Sequence, residues 1–141
     1  MLYLARSHVE IASLTDCIML DRVDGKRLPY ADGRFAAVMS NSIAHHIPEP
    51  AQALRESWRV LSPGGLMFVR DLLRPNDEPQ LRHLVDTYAA TADAHQRQLF
   101  SDSLHAALTL DEVRAIVDAM SVDPATVRQT SDRHWTWSAR R

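Results

Sequence analysis

The sequence has few of the features that mark a disulfide-rich, membrane-spanning or strongly basic protein. Its single cysteine, Cys17, has no partner for an internal disulfide. No apolar run approaches the roughly 18 residues of a membrane span, and residues 1–12 alternate charged with apolar residues, unlike a secretory signal. Lys and Arg total 16 against 18 Asp and Glu, which disfavours nucleic-acid binding by bulk charge. We therefore expect a cytoplasmic protein that binds neither nucleic acid nor a membrane.

The rest of the composition is that of an ordinary globular domain. Hydrophobic residues make up 45% and charged residues 24% of the 141 residues. At about 150 residues per domain, this length predicts a single domain over residues 1–141.

The spacing of apolar residues predicts alternating helices and strands. Intervals of three and four predict helices, and short apolar runs between turn residues predict strands. The run at residues 35–39 is typical of a strand buried on both faces, so we expect it at the centre of the sheet. The predicted elements are a helix over 1–12, strands over 17–23 and 35–39, a helix over 50–61 ended by a turn at 62–65, a strand over 66–69, helices between 77 and 120 with a cap at Thr109 or Asp111, and a hairpin of strands 126–130 and 135–138.

This alternation predicts an α/β fold. We expect a mostly parallel, Rossmann-like sheet with right-handed crossovers, helices on both faces and a C-terminal antiparallel hairpin.

Residues at the carboxyl ends of the predicted strands are the candidates for chemistry, because open α/β sheets bind ligands there. They are Asp24-Gly25, Asn41-Ser42 with His45-His46, and Arg70-Asp71. Spacing alone leaves open whether Asp24-Gly25 is a ligand site or a plain turn.

Two common kinds of site are disfavoured. We expect no metal site, because zinc needs three or four ligands and adjacent residues such as His45 and His46 do not face each other on a helix or turn. A Ser-His-Asp hydrolase is set aside because no serine has glycines two residues away on both sides.

Three ordered segments carry a family resemblance, beginning with residues 24–38 (DGKRLPYADGRFAAV) and 40–47 (SNSIAHHI). The first is similar to the segment Asp-x-x-x-Leu-Pro-Phe-x-Asp-x-x-Phe-Asp-x-Val, and the second to the motif with paired histidines, of class I S-adenosylmethionine-dependent methyltransferases of the ubiquinone/menaquinone-methylase-like type. Residues 53–56 (ALRE) and 59–65 (RVLSPGG) resemble the segment before its fifth strand. The similarity covers residues 24 to about 69.

The resemblance implies S-adenosylmethionine as cofactor and a role for each matching residue. Asp24 would meet the adenine amino group, with the backbone of Gly25 and Lys26 beside the base, and Asn41 and Ser42 would lie beside the methionine part. Methyl transfer depends mainly on in-line positioning of an already activated donor. A base is needed only when the acceptor must lose a proton, and His45 and His46 are the candidates.

One part of the family pattern has no match. The family begins with a strand, a glycine-rich cofactor loop and a second strand with an acidic end, and the four glycines of this chain, at positions 25, 33, 64 and 65, cannot form that loop. By this comparison we expect the N-terminal third of the domain to be missing, which would leave strands 17–23 and 35–39 with unpaired edges. We expect these edges to pair with each other or with a partner, or the chain to be poorly stable.

The sequence leaves two functions open. The first is methyl transfer to an acceptor, and the lack of a basic surface favours a small molecule. The second is a non-catalytic remnant that acts as an interaction or dimerisation module. In that case we expect copies of the chain to form a homo-oligomer through their exposed sheet edges. A nicotinamide-dependent oxidoreductase ranks third, because its own glycine-rich fingerprint is absent.

Overall fold

A computed structural model of the chain describes residues 2–141; Met1, in the first predicted helix, lies outside the described residues. The helices are α1 (Leu2–Ile11), α2 (Pro50–Val60), α3 (Glu78–Tyr88), α4 (Ala94–Ala106) and α5 (Leu110–Asp118). The strands are β1 (Phe35–Asn41), β2 (Leu61–Leu72), β3 (Val127–Ser131) and β4 (His134–Arg140), and single 3₁₀ turns form at Ala44–His46 and Pro124–Thr126. None of the described helices is both long and apolar enough to cross a membrane.

The sheet has the order β1-β2-β4-β3. Strand β1 pairs with β2 in parallel, whereas β2–β4 and β4–β3 are antiparallel. The α/β class and the C-terminal hairpin are confirmed, but the expected majority of parallel pairings is wrong. The reason is that the hairpin docks on β2 through β4, while the segment expected to add another strand does not pair.

That segment, residues 17–23, is irregular rather than a strand. Its first backbone bonds are local, since Cys17 N and Ile18 N both donate to Leu14 O. Its apolar side chains are exposed, with Met19 86% accessible. An apolar run becomes a strand only when a neighbouring strand accepts its hydrogen bonds, and none of the described residues does so here.

Strand β1 is a sheet edge, not the expected central strand. It pairs with β2 alone among the described strands. Only one of its faces packs on the core, through Val38, whereas Met39 on the opposite face is 79% exposed. The expectation of burial on both faces is therefore wrong.

The main core lies on the face of the sheet that α2 and α5 cover. Met67 and Val69 of β2 lie beside Trp135 and Trp137 of β4 and are fully buried. Trp58 of α2 stacks on Trp137 with ring centroids 5.4 Å apart. Leu54 of α2 and two valines of α5, Val113 and Val117, complete this layer. A smaller cluster joins the end of β2 to α3 and α4; it consists of Leu72, Leu81, Leu84, Val85, Ala89, Leu104 and Ala107.

The opposite face of the sheet, here called the open face, carries exposed apolar side chains. In register from β1 to β2 they include Met39 beside Phe68, and Ala37 beside Leu66. Phe68 is 36% and Leu66 39% exposed. We expected helices on both faces; among the described residues, these side chains remain uncovered.

Residues Ser62 to Gly65, predicted to form a turn, belong instead to the first part of β2, where the pairing with β1 is irregular. The register between β1 and β2 jumps from Phe35↔Leu61 to Ala37↔Leu66. A Cβ on Gly65 would lie 2.8 Å from Ser62 O and 2.9 Å from Ala36 O. Glycine is therefore required where the two strands approach each other.

Side-chain caps mark the starts of α3, α4 and α5, and a proline marks the start of α2. Thr109 caps α5 in a capping box with Glu112, and Pro50 occupies the first turn of α2, both as predicted. The helical region from 77 to 120 falls into three helices, because Asp77 caps α3 and Asp93 caps α4 with a second capping box.

Candidate functional site

A buried histidine–aspartate pair lies at the carboxyl ends of β1 and β2. Nδ1 of His45 is 2.5 Å from Oδ1 of Asp71, and the two side chains are 4% and 1% exposed. His45 belongs to the 3₁₀ turn after β1, and Asp71 is near the end of β2 on its buried face. The parallel pairing of β1 with β2 brings together two groups that are 26 residues apart in sequence.

Four N–H groups surround the Asp71 carboxyl group. Oδ1 accepts from Leu72 N at 2.7 Å as well as from His45, and Oδ2 accepts from Ile43 N at 2.8 Å and Ala44 N at 2.6 Å. Three of these neighbours are backbone N–H groups, which can only donate, and a carboxylate at Asp71 with a proton on Nδ1 of His45 satisfies all four contacts. Within residues 2–141 the structure gives Nε2 of His45 no hydrogen-bond partner, and that atom is not sealed from solvent. Asp71 therefore fixes both the turn and the ring of His45 and leaves Nε2 as an acceptor.

His46 has a different environment. It is exposed, and its ring lies against that of His45 with centroids 4.0 Å apart. No hydrogen bond to the His46 ring is present among the described residues, so its orientation is less constrained than that of His45. Sequence reasoning did not distinguish between the two.

Asp24 and Gly25 form a tight turn with Lys26. Oδ1 of Asp24 accepts from Lys26 N at 2.9 Å, which is an Asx turn. The backbones of Asp24 and Arg27 also form an isolated antiparallel β-bridge. Among the described residues only this oxygen of the exposed carboxylate has a partner. Both sequence interpretations of Asp24-Gly25 remain compatible with this geometry: it is a turn with an accessible carboxylate.

Arg59 of α2 ties the segment after this turn to the domain. Its guanidinium donates to Leu28 O at 3.0 Å, to Tyr30 O at 2.9 Å and to Asp32 at 2.6 Å, and it also holds Glu56. Glu56 in turn accepts from Leu28 N at 2.9 Å. The hydrogen bond from Arg59 lowers the pKa of Glu56. The roles of Arg59 and Glu56 could not be predicted from the sequence beyond their place in a motif, because these contacts join residues 27 to 31 positions apart.

A cavity of about 300 Å³ joins the Asp24-Gly25 turn to the end of β1. Its lining is mainly apolar and consists of Gly25, Leu28, Ser40, Ile43, Ala44, Ile47, Pro50, Ala53, Leu54, Ser57 and Val69. A Cβ on Gly25 would meet nothing within 4 Å. Of the residues predicted from sequence, Gly25 is part of this lining, whereas Asp24, Asn41, Ser42, His45 and His46 are not; the cavity meets the second predicted site through the neighbouring residues Ser40, Ile43 and Ala44.

The remaining predicted residues lie at the tip of β1. Asn41 is paired in register with Arg70, and Ser42 N donates to Arg70 O at 2.9 Å. Ser42 has a left-handed backbone with φ 53°, which turns the chain from β1 into the 3₁₀ turn that holds His45. Asn41 and Ser42 are both exposed. In the part of the chain that the structure describes, no three His, Cys, Asp or Glu side chains are grouped as metal ligands.

Comparison with known proteins indicates a family. Residues 1–69 match the model of a methyltransferase domain. The chain is 29% identical over 134 residues to 27-O-demethylrifamycin SV methyltransferase of Amycolatopsis mediterranei, covering 92% of this chain and 46% of the relative. The chain is similar to the class I S-adenosylmethionine-dependent methyltransferases. A second methyltransferase relative, demethylmenaquinone methyltransferase of Lactiplantibacillus plantarum, is 32% identical over 88 residues, which are 62% of this chain and 37% of the relative.

Solved structures share the methyltransferase fold. The YcgJ protein of Bacillus subtilis superposes with a TM-score of 0.62 at 23% identity over 91% of this chain and 48% of that one. A SAM-dependent methyltransferase from Aquifex aeolicus gives 0.60 at 15% identity over 96% of this chain and 60% of that one. The chain spans about half the length of the curated relatives that it matches over most of its own length.

Proposed function

We propose that this chain takes part in S-adenosylmethionine-dependent methyl transfer to a small-molecule acceptor, with His45 as the general base. The observation that carries the proposal is the buried contact of 2.5 Å between His45 Nδ1 and Asp71 Oδ1 at the carboxyl ends of two parallel strands. Similarity to a methyltransferase domain supports the reaction class, and the lack of an excess of basic residues in the sequence supports a small acceptor.

The hollow beside Gly25 fits one end of the cofactor. When bound, S-adenosylmethionine supplies a methyl group already activated on a sulfonium. An apolar cavity of about 300 Å³ that begins at Gly25, the residue after Asp24, suits a flat base with a polar edge. Asp24 would accept from the amino group, Gly25 and Lys26 would contribute backbone, and Asn41 and Ser42 would lie toward the methionine part.

His45 has the arrangement of a general base oriented by an acid. Because Asp71 accepts from Nδ1–H, the lone pair on Nε2 can accept a proton from the hydroxyl of an acceptor. The carboxylate then stabilises the imidazolium that forms. His46 lacks such a partner among the described residues, so the geometry favours His45 between the two histidines.

Calorimetry with S-adenosylmethionine tests the cofactor site. We expect binding, and about tenfold weaker binding for Asp24→Ala. Asp118→Ala, an exposed carboxylate at the end of α5, is the matched control and leaves the affinity unchanged. Absence of binding to the wild-type chain would overturn methyl transfer by this chain.

The pH profile of methyl transfer tests the base. With a panel of phenols and hydroxy acids as acceptors and labelled methyl donor, His45→Asn should lower the rate by about 100-fold or more and remove the limb of the profile that reports a base. His46→Asn should leave both within about threefold. The assignment of His45 fails if His46→Asn has the larger effect.

The exposed edge supports the second candidate, an interaction module. Strand β1 contains neither charge nor proline, and Met39 is 79% exposed beside Phe68, so nothing in this edge opposes pairing with another strand. If this is the function, the chain will self-associate in sedimentation experiments and Met39→Lys will prevent it. A concentration-independent monomer would refute the module as a homo-oligomer.

A further inference from the structure

Arg70 differs from the other partly buried arginines. Six arginines of the described chain are at least partly buried: Arg59, Arg70, Arg74, Arg97, Arg114 and Arg133. Five of them have a carboxylate oxygen within 4.0 Å. Arg70 has none among the described residues. Burying a guanidinium without an acidic partner costs free energy, so the lack of a carboxylate beside Arg70 is a reason to look for a ligand there.

The hydrogen bonding of Arg70 is also incomplete. One terminal nitrogen of the guanidinium is 3.2 Å from Nδ1 of His134, while Nε is sealed from solvent and has no partner. His134 does not supply a charge, because burial and the Arg70 guanidinium lower its pKa and favour the neutral ring. Among the described residues no carboxylate balances the charge of Arg70, and a ligand would reach its terminal nitrogens, not the sealed Nε.

A row of polar side chains crosses the open face at this level of the sheet. In register, Asn41 of β1 lies beside Arg70 of β2, which lies beside Thr136 of β4, which lies beside Arg128 of β3. The row offers amide, guanidinium and hydroxyl donors, and it contains no carboxylate. It begins at the tip of β1, next to the predicted cofactor residues.

We propose that Arg70 binds a carboxylate of the methyl acceptor, so that the acceptor is a hydroxy acid and not a neutral alcohol or phenol. This inference rests on the proposed function, since it assumes that an acceptor binds at the carboxyl end of β2. A carboxylate is the ligand that a guanidinium pairs with through two parallel hydrogen bonds. Asn41 would supply a further donor from the neighbouring strand.

NMR titration of the chain with 4-hydroxybenzoate tests the proposal without cofactor or turnover. The Nε–H of Arg70 is sealed from solvent, so its resonance is protected from exchange and reports directly on the guanidinium. We expect saturable shifts of the Arg70 Nε–H and His134 ring signals with 4-hydroxybenzoate. Methyl 4-hydroxybenzoate, which lacks the charge, should give no such shift.

Two variants and a second ligand separate the outcomes. Arg70→Gln should weaken binding by about tenfold or more, whereas Arg128→Gln, an exposed arginine of the same face without a carboxylate partner, should not. Shifts with free methionine and not with 4-hydroxybenzoate would assign the site to the carboxylate of the cofactor and overturn the acceptor assignment. Equal shifts of the His134 ring signals in Arg70→Gln, or no shifts in the wild type, would overturn the site itself. Failure of the proposed function appears separately, as absent S-adenosylmethionine binding with the carboxylate shifts intact.

Discussion

Replacing Asp71 by asparagine tests the structural basis of the site. Each carboxylate oxygen accepts two N–H groups, from His45 and Leu72 at Oδ1 and from Ile43 and Ala44 at Oδ2. The amide of asparagine directs its NH₂ group at one of these two pairs. Toward Ile43 and Ala44 it leaves two buried N–H groups unpaired; toward His45 and Leu72 it leaves one, because the His45 ring can accept at Nδ1 in its other tautomer.

The cost follows from the number of bonds lost. Hydrogen bonds to a charged group contribute about 1.5–3 kcal/mol each, so the loss of one or two of them should destabilise the chain by about 2–5 kcal/mol. A domain is typically stable by about 5–15 kcal/mol, so the urea midpoint should fall by on the order of 1–2 M.

Urea unfolding followed by circular dichroism measures this change. Asp132→Asn is the matched control: its exposed carboxylate accepts from Tyr88 at 2.6 Å and from Arg133 at 3.3 Å, and its replacement should cost about 1 kcal/mol or less. If Asp71→Asn also costs less than about 1 kcal/mol at an unchanged m-value, the four-donor arrangement does not stabilise the fold and the reasoning is wrong.

Three further predictions concern the surroundings of the site. Arg59→Ala removes the contacts that hold residues 28–32 on α2 and should cost about 2 kcal/mol in urea unfolding, while Arg55→Ala, exposed on the same helix, should cost no more than about 0.5 kcal/mol. Gly65→Ala drives a Cβ into backbone oxygens at 2.8 and 2.9 Å and should cost about 1–3 kcal/mol; Gly25→Ala meets nothing within 4 Å and is its control. Burial lowers the folded-state pKa of His134, so the unfolded chain binds the proton more readily and the free energy of unfolding should fall as the pH drops below about 6.5. His134→Asn should flatten that dependence, and an identical pH profile would contradict it.

Elements with strong local signals were predictable from sequence. Helix α2 has a proline start and an apolar face, the core segment of β2 is a short apolar run, and the hairpin follows from alternation around Trp135 and Trp137. Residues 17–23 carry an equally good strand pattern, yet they form no strand. A strand depends on a neighbour elsewhere in the chain, and composition does not report whether that neighbour is present.

The candidate site shows the same division between local and distant information. The strand-end rule selected Asp24, Asn41, His45 and Asp71 separately, because each follows an apolar run. It could not pair His45 with Asp71, since their contact depends on the register of β1 against β2. The role of Arg59 had no sequence signal beyond its place in a motif.

The alternation of side chains along β2 limits the shape of an acceptor. Arg70 and Asp71 are consecutive, so they project to opposite faces of the sheet, Arg70 to the open face and Asp71 to the buried face with His45. An acceptor whose carboxylate binds Arg70 and whose hydroxyl reaches His45 must therefore pass over the end of β2. Its acid and hydroxyl groups have to lie at opposite ends of the molecule.

Isomers of hydroxybenzoate test this constraint. Both 4-hydroxybenzoate and 2-hydroxybenzoate present a carboxylate and should shift the Arg70 Nε–H signal. Only the 4-isomer holds its hydroxyl away from the acid, so only that isomer should also shift the ring signals of His45, and Asp71→Asn, where it remains folded, should weaken that second response alone. If the 2-isomer perturbs His45 equally, the two groups do not bind opposite ends of one acceptor, and Arg70 and His45 serve different ligands.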